Sequence, residues 1–179
     1  MLPTINSSVD DPQASGDTIL INKKKLGSRN DIVVAKVDWY DNFIIKRLVG
    51  TPGDKIQIKD QGDHYDLVVN NVTLYSKVKE GTKTDFVSTG TVGYYGDYLL
   101  FLENPEFAQY VETDGNETYI KLDKDEYFLM GDNWGHTFDC IANGPIKSKQ
   151  IIGKVDLIIE VGENNPLKIS WFFMKKLFS

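Results

Sequence analysis

A chain of 179 residues can hold one generous hydrophobic core, or one core with a smaller domain set into it. Apolar residues at 41% and charged residues at 26% exclude a disordered chain and fit a folded globular one. Twenty basic against 26 acidic side chains leave a formal charge of -6, which argues against a nucleic-acid partner needing a basic face to neutralise phosphates.

Residues 17–22 (DTILIN) place Ile19 and Ile21 in a strand-like run. Lys23, Lys24 and Lys25, followed by Gly27, Ser28, Arg29 and Asn30, make a basic turn. Residues 31–37 (DIVVAKV) are a second strand, too apolar at its start to be half-exposed. Residues 43–49 (FIIKRLV) are a third, closed by Gly50, with Thr51-Pro52-Gly53-Asp54 as a turn. Residues 55–59 alternate cleanly, 60–63 turn the chain, and 65–69 resume strand character.

Asn70-Asn71 reads as a tight turn before a strand at 72–75, and 79–85 is a polar loop. Within 92–103, residues 98–102 are a strand candidate, and 104–109 suit one helical turn. Residues 110–122 are polar, with a hairpin expected at Asp114-Gly115-Asn116. Residues 126–130 (EYFLM) are halted by Gly131-Asp132-Asn133, and 151–161 form a long strand bent at Gly153. No segment sustains an apolar helical period for three turns. Short strands with Gly, Asp and Asn at the corners therefore predict an all-β architecture.

Charge is unevenly placed: residues 60–126 carry 14 acidic and 5 basic side chains. That block is either a region with its own surroundings or a solvated acidic face. Cys140 is the single cysteine, so no intramolecular disulfide forms. No stretch resembles a signal peptide or reaches the roughly 18 apolar residues of a membrane span. Trp171-Phe172-Phe173-Met174-Lys175-Lys176-Leu177-Phe178 suits a lipid headgroup boundary, an element end packed on the core or, third, a cut-off second membrane segment. His136 and His64 lie far apart in sequence, a set too sparse for a metal, and no cofactor is expected.

Four segments, in order, resemble the boxes of type I signal peptidases. Met1-Leu2-Pro3-Thr4-Ile5 resembles the stretch following the nucleophilic serine, Ser-Met-x-Pro-Thr. Asp31-Ile32-Val33-Val34 resembles Gly-Asp-Ile-Val-Val, with Asn30 in place of the glycine. Lys46-Arg47-Leu48-Val49-Gly50-Thr51-Pro52-Gly53-Asp54 resembles the lysine box, and this is the most specific of the four. Gly131-Asp132-Asn133 opens the last box, which departs from the family afterwards. Trp134 stands for an arginine, Thr137 for a serine, Cys140 for a second serine and Ile141 for the closing arginine, while Asp139 is kept.

The resemblance implies a signal-peptidase-like β core from residues 1–59 and 124–167, an inserted cap-like β domain over 60–123, and a tail over 168–179. It implies Lys46 as a general base, neutral because buried. The nucleophilic serine would stand just before Met1, outside the sequence given, the start being read as a cut within a longer protein. From the residues alone, Lys46 is either a buried lysine sharing a strand face with Ile44 and Leu48 or a charge on a solvated face. Thr137 would orient the lysine, and Asp139 would pair with Arg47 to brace the site. Met1, Pro3, Asp132 and Asn133 would belong to the substrate-facing motifs. Ser7 and Ser8 fall after the box, in an expected loop, and Cys140 is a small buried filler rather than a nucleophile.

Two activities are left open. One is a serine/lysine endopeptidase removing signal peptides from secreted preproteins. The other is a non-catalytic relative that binds secreted pilus subunits in Gram-positive bacteria. Either would sit at the cell membrane through a single N-terminal anchor, with this domain on the extracytoplasmic side. The residue preceding Met1 separates them.

Overall fold

The computed structural model describes residues 18–78, 93–132, 134 and 138–159. Two antiparallel sheets dominate the described residues. The first contains β1 (Thr18–Asn22), β2 (Ile32–Lys36), β3 (Phe43–Gly50), β9 (Glu126–Met130), β10 (Ile146–Lys147) and β11 (Ile151–Ile159). Its order is β1-β11-β2-β3-β9-β10. The second contains β4 (Lys55–Asp60), β5 (His64–Val69), β6 (Val72–Val78), β7 (Val111–Asp114) and β8 (Glu117–Lys121), in the order β6-β5-β4-β8-β7. The first sheet is thus drawn from both ends of the described chain and the second from its middle.

The mainly-β expectation is met, and local chemistry explains the strand ends. Asn70 and Asn71 both have positive φ, 52° and 65°, the signature of the two-residue turn that matches strand twist, and they join β5 to β6. Gly115 at φ 60° turns β7 into β8, as the Asp114-Gly115-Asn116 signal predicts. β2 lies between β11 and β3, which is why its Val33, Val34 and Ala35 are all buried. The pairing of β11 with β2 shifts register between Ile151 and Gly153, where the bend was expected. Asn22 O lies 2.5 Å from where a Cβ on Gly153 would stand, so no larger residue fits there.

One element corrects the sequence reading. Residues 98–102 are not a strand but the second half of helix α1 (Gly93–Glu103). α1 is apolar on nearly every side, so it shows neither a 3.6-residue stripe nor a two-residue alternation. Only tertiary packing picks its inner face: Tyr98 and Phe101, three apart, are buried, while Leu99 and Leu100 stay exposed. The helical turn expected at 104–109 is a 3₁₀ helix, Pro105–Tyr110, capped by Asn104, whose Oδ1 accepts from Glu106 N at 2.9 Å.

A single core unites both sheets. Val33, Ala35, Leu48 and Leu129 of the first pack in one cluster with Ile56, Leu67 and Ile120 of the second and Phe101 of α1. Gly50 is a point of close approach between them. A Cβ there would lie 2.5 Å from Ile56 Cδ1, 2.8 Å from Leu122 Cδ1 and 2.9 Å from Phe128 Cβ.

Candidate active site

β3 carries Lys46 and Arg47 to opposite faces of the first sheet. Ile44 and Leu48, on the side of Lys46, are buried, and Lys46 pairs with Val33, which is also fully buried. Lys46, itself half-buried, therefore emerges from the core face and not from a solvated one. Burial lowers its pKa below the ordinary 10.5, because an ammonium loses hydration there. The negative charges of Asp139, Cys140 when ionised, and Asp132 act in the opposite direction without reversing the shift.

Asp139 is buried and caps the short helix α2 (Cys140–Asn143). Its Oδ1 accepts from Ile141 N at 3.0 Å and its Oδ2 from Gly131 N at 2.8 Å. One carboxylate thus ties together the two sides of the loop that runs from β9 to α2. Asp97 of α1 lies near enough to sense it: burial first, and the charge of Asp139 second, raise the Asp97 pKa.

The brace of Arg47 differs from expectation. Its guanidinium forks the carboxylate of Asp132, Nε to Oδ1 at 2.8 Å and Nη2 to Oδ2 at 2.7 Å, where the sequence reading placed Asp139. Asp139 has its two backbone donors instead, and Asp132 lies on the Arg47 side of the sheet. Hydrogen bonding to Asp132 is the largest influence on Arg47 and raises its pKa despite partial burial. The third arm of the guanidinium, Nη1, donates to Asn30 O at 2.7 Å.

Asn30, where the resemblance leads one to expect a glycine, has a φ of 77°, a conformation that glycine and asparagine both adopt. Asparagine visits the left-handed region more readily than other non-glycine residues. Its amide group then adds a contact that glycine lacks, Oδ1 accepting from Tyr75 Oη at 2.7 Å. Nothing in the sequence pattern singled out Tyr75.

Asp54, last of the lysine box, is a structural hub. It is buried, accepts from Arg29 Nη2 on both its oxygens at 2.7 and 2.8 Å, and accepts from Thr51 N at 2.6 Å and Asn70 Nδ2 at 2.7 Å. Burial pushes its pKa up, but the bonds from Thr51, Arg29 and Asn70 together hold it below the usual carboxylate range. The motif aspartate therefore fastens the β3–β4 turn to the β5–β6 turn.

On the Arg47 side, a cleft of about 480 Å³ opens between the sheets. Val49, Leu67 and Met130 contribute its apolar surface, and Arg47, Asp132, Tyr75 and Trp134 line it further. Trp134 is half-buried against the core. Cys140 is wholly buried, with Leu129 N donating to its Sγ at 3.2 Å, and burial pushes its thiol pKa far up. It is a packed filler, as expected from its size and apolar neighbours.

Met1, Pro3, Ser7, Ser8, Asn133, His136 and Thr137 lie outside the described residues, as does the aromatic stretch 171–178. Among the described residues no three His, Cys, Asp or Glu side chains converge as a metal site. No helix of the described residues is long and apolar enough to cross a membrane.

Comparison with known proteins places these features in context. The profile of the family described as signal peptidase, peptidase S26, matches residues 3–160. Signal peptidase I V of Bacillus subtilis (strain 168) is 31% identical over 144 residues, covering 78% of this chain and 73% of that protein. Signal peptidase I P of Bacillus subtilis subsp. natto is 29% identical over 131 residues, covering 73% of this chain but 58% of that longer protein. A crystal structure of a signal peptidase I from Enterococcus faecalis V583 aligns with a TM-score of 0.44 at 20% identity, over 76% of this chain and 99% of that one.

Proposed function

Because the chain belongs to the signal peptidase family, peptidase S26, we propose that the full-length protein is a serine/lysine endopeptidase that removes signal peptides from secreted preproteins. The observation that carries this reading is Lys46, on the core face beside Val33 and Leu48, with its pKa depressed by burial. A neutral amine there can take the proton of a serine hydroxyl as that oxygen attacks the scissile carbonyl, and return it to the leaving amine. The serine would immediately precede Met1, and Thr137 would orient the amine.

In this reading residues 1–59 and 124–167 make the catalytic-type core, with 60–123 as a cap set into it. Met1, Pro3, Asp132 and Asn133 border the substrate, an extended segment with small side chains before the cut, held as an added strand. An N-terminal anchor would hold the domain at the outer face of the cell membrane. The test is cleavage of a fluorogenic Ala-x-Ala peptide by the full-length protein in detergent, beside its Lys46→Met variant. Turnover lost in the variant supports the reading; turnover that persists in the variant overturns it.

One feature favours a second reading, a non-catalytic assembly factor for secreted pilus subunits. Cys140 and Ile141, in place of a serine and an arginine, are both buried, so the last box is built as core rather than as a polar support. In that case neither protein turns the peptide over, yet a secreted subunit still binds.

A further inference from the structure

We infer that Tyr75 of β6, acting through Asn30, is a positioning residue for Lys46. The inference rests on the reading of Lys46 as the general base and extends it to the second sheet, to which no role in the chemistry is otherwise assigned.

The relay consists of three bonded steps. Tyr75 Oη donates to Asn30 Oδ1 at 2.7 Å. The carbonyl of the same Asn30 accepts from Arg47 Nη1 at 2.7 Å, while its N–H donates to Leu48 O at 2.8 Å, fixing it on β3. Arg47 then forks Asp132 at 2.8 and 2.7 Å. A guanidinium with one arm on a fixed carbonyl keeps its other edge aligned for a bidentate carboxylate, which a freely rotating one does not. Tyr75 also lines the cleft with Arg47 and Asp132.

The consequence for Lys46 is electrostatic. The charges that bear on Lys46 are those of Asp139 and Cys140 at the start of α2 and, least of the three, Asp132 after β9 on the Arg47 side, and Asp139 bears in turn on Asp97 of α1. Among these, the charge of Asp132 is the one cancelled by a paired guanidinium. If the fork loosens, Asp132 acts on Lys46 less compensated, and water gains access to the loop. Both changes favour the ammonium and move the amine away from the neutral form that a base needs.

The test is an NMR titration of the Lys46 Cε signal in the 179-residue chain labelled at lysine, the signal being assigned by its loss in Lys46→Met. Tyr75→Phe removes only the hydroxyl. Asn30→Gly keeps the positive φ and the carbonyl but removes the acceptor. Each should raise the Lys46 midpoint by about half a unit or more, with the double variant shifted no further than either single one. Unchanged midpoints in both folded variants, or additive shifts, overturn the inference while leaving a depressed Lys46 as base intact. A parent Lys46 that titrates with the surface lysines instead sinks the base reading itself, and the relay with it.

Discussion

Arg47 and Asp132, 85 residues apart, meet as a two-bonded fork with their side chains only 20% and 15% exposed. The pair closes the start of the β9–α2 loop onto β3, one residue from Lys46 and on the opposite face of the sheet. Arg47→Lys keeps the charge but cannot reproduce two parallel N–H bonds. The loss should cost about 2 kcal/mol of stability, read as a lower urea midpoint with unchanged slope. An unchanged midpoint would mean the fork contributes specificity without net stability.

Lys46→Met should affect stability in a direction opposite to most core substitutions. The unfolded lysine keeps its proton up to about 10.5, whereas the folded one releases it earlier. Between those two pKa values the unfolded chain binds more protons, so this side chain makes the fold more stable as pH rises. Below the folded pKa the penalty of a buried ammonium is constant and at its largest. The Met variant lacks that penalty, so it should match or exceed the parent at neutral pH. Its advantage should shrink as pH rises from the folded pKa to 10.5. Thermal melts of both proteins across that range check it, and a difference that stays flat would contradict the depressed pKa.

The strands were legible because their cues are local: two-residue alternation in β4, paired asparagines between β5 and β6, and a glycine at the β7–β8 turn. α1 was not, since its inner face is chosen by α2 and the second sheet rather than by any stripe in its own residues. The site divides the same way. Lys46 and its apolar neighbours on one strand face could be read from spacing. The partner of Arg47 could not, because Asp132 and Asp139 are both close in sequence to the loop and only the sheet decides which lies on the Arg47 side. Tyr75 carried no signal at all, being one tyrosine in an ordinary edge strand.

Asp54 should dominate the acid limb of stability. Its folded pKa lies below the ordinary 3.8, so its contribution is present above that value and is lost as pH falls through the folded pKa. Protonation would leave Arg29 without its anionic partner and weaken the bonds from Thr51 and Asn70. Asp54→Asn should therefore be less stable than the parent at pH 7 by about 2–3 kcal/mol. It should show a shallower decline below pH 4, and parallel melting curves from pH 2 to 7 would exclude this role.

Gly50, in the middle of the lysine box, is glycine for a steric reason, which gives a direct test of the shared core. Its φ is not in the left-handed region, so a methyl group is opposed only by its neighbours: Ile56 and Leu122 near the second sheet and Phe128 of β9. Phe128 presents its own Cβ at 2.9 Å, an atom fixed to the backbone that no rotamer change can move aside. Ile56 and Leu122 meet the methyl with terminal carbons, but both are buried and have little space to yield. Gly50→Ala should cost about 1–3 kcal/mol through overpacking. Because the strain falls where β3 passes into β4, it should also weaken amide-exchange protection in both sheets at once. Loss of protection in the first sheet alone would show that the two sheets unfold independently, despite the core they share.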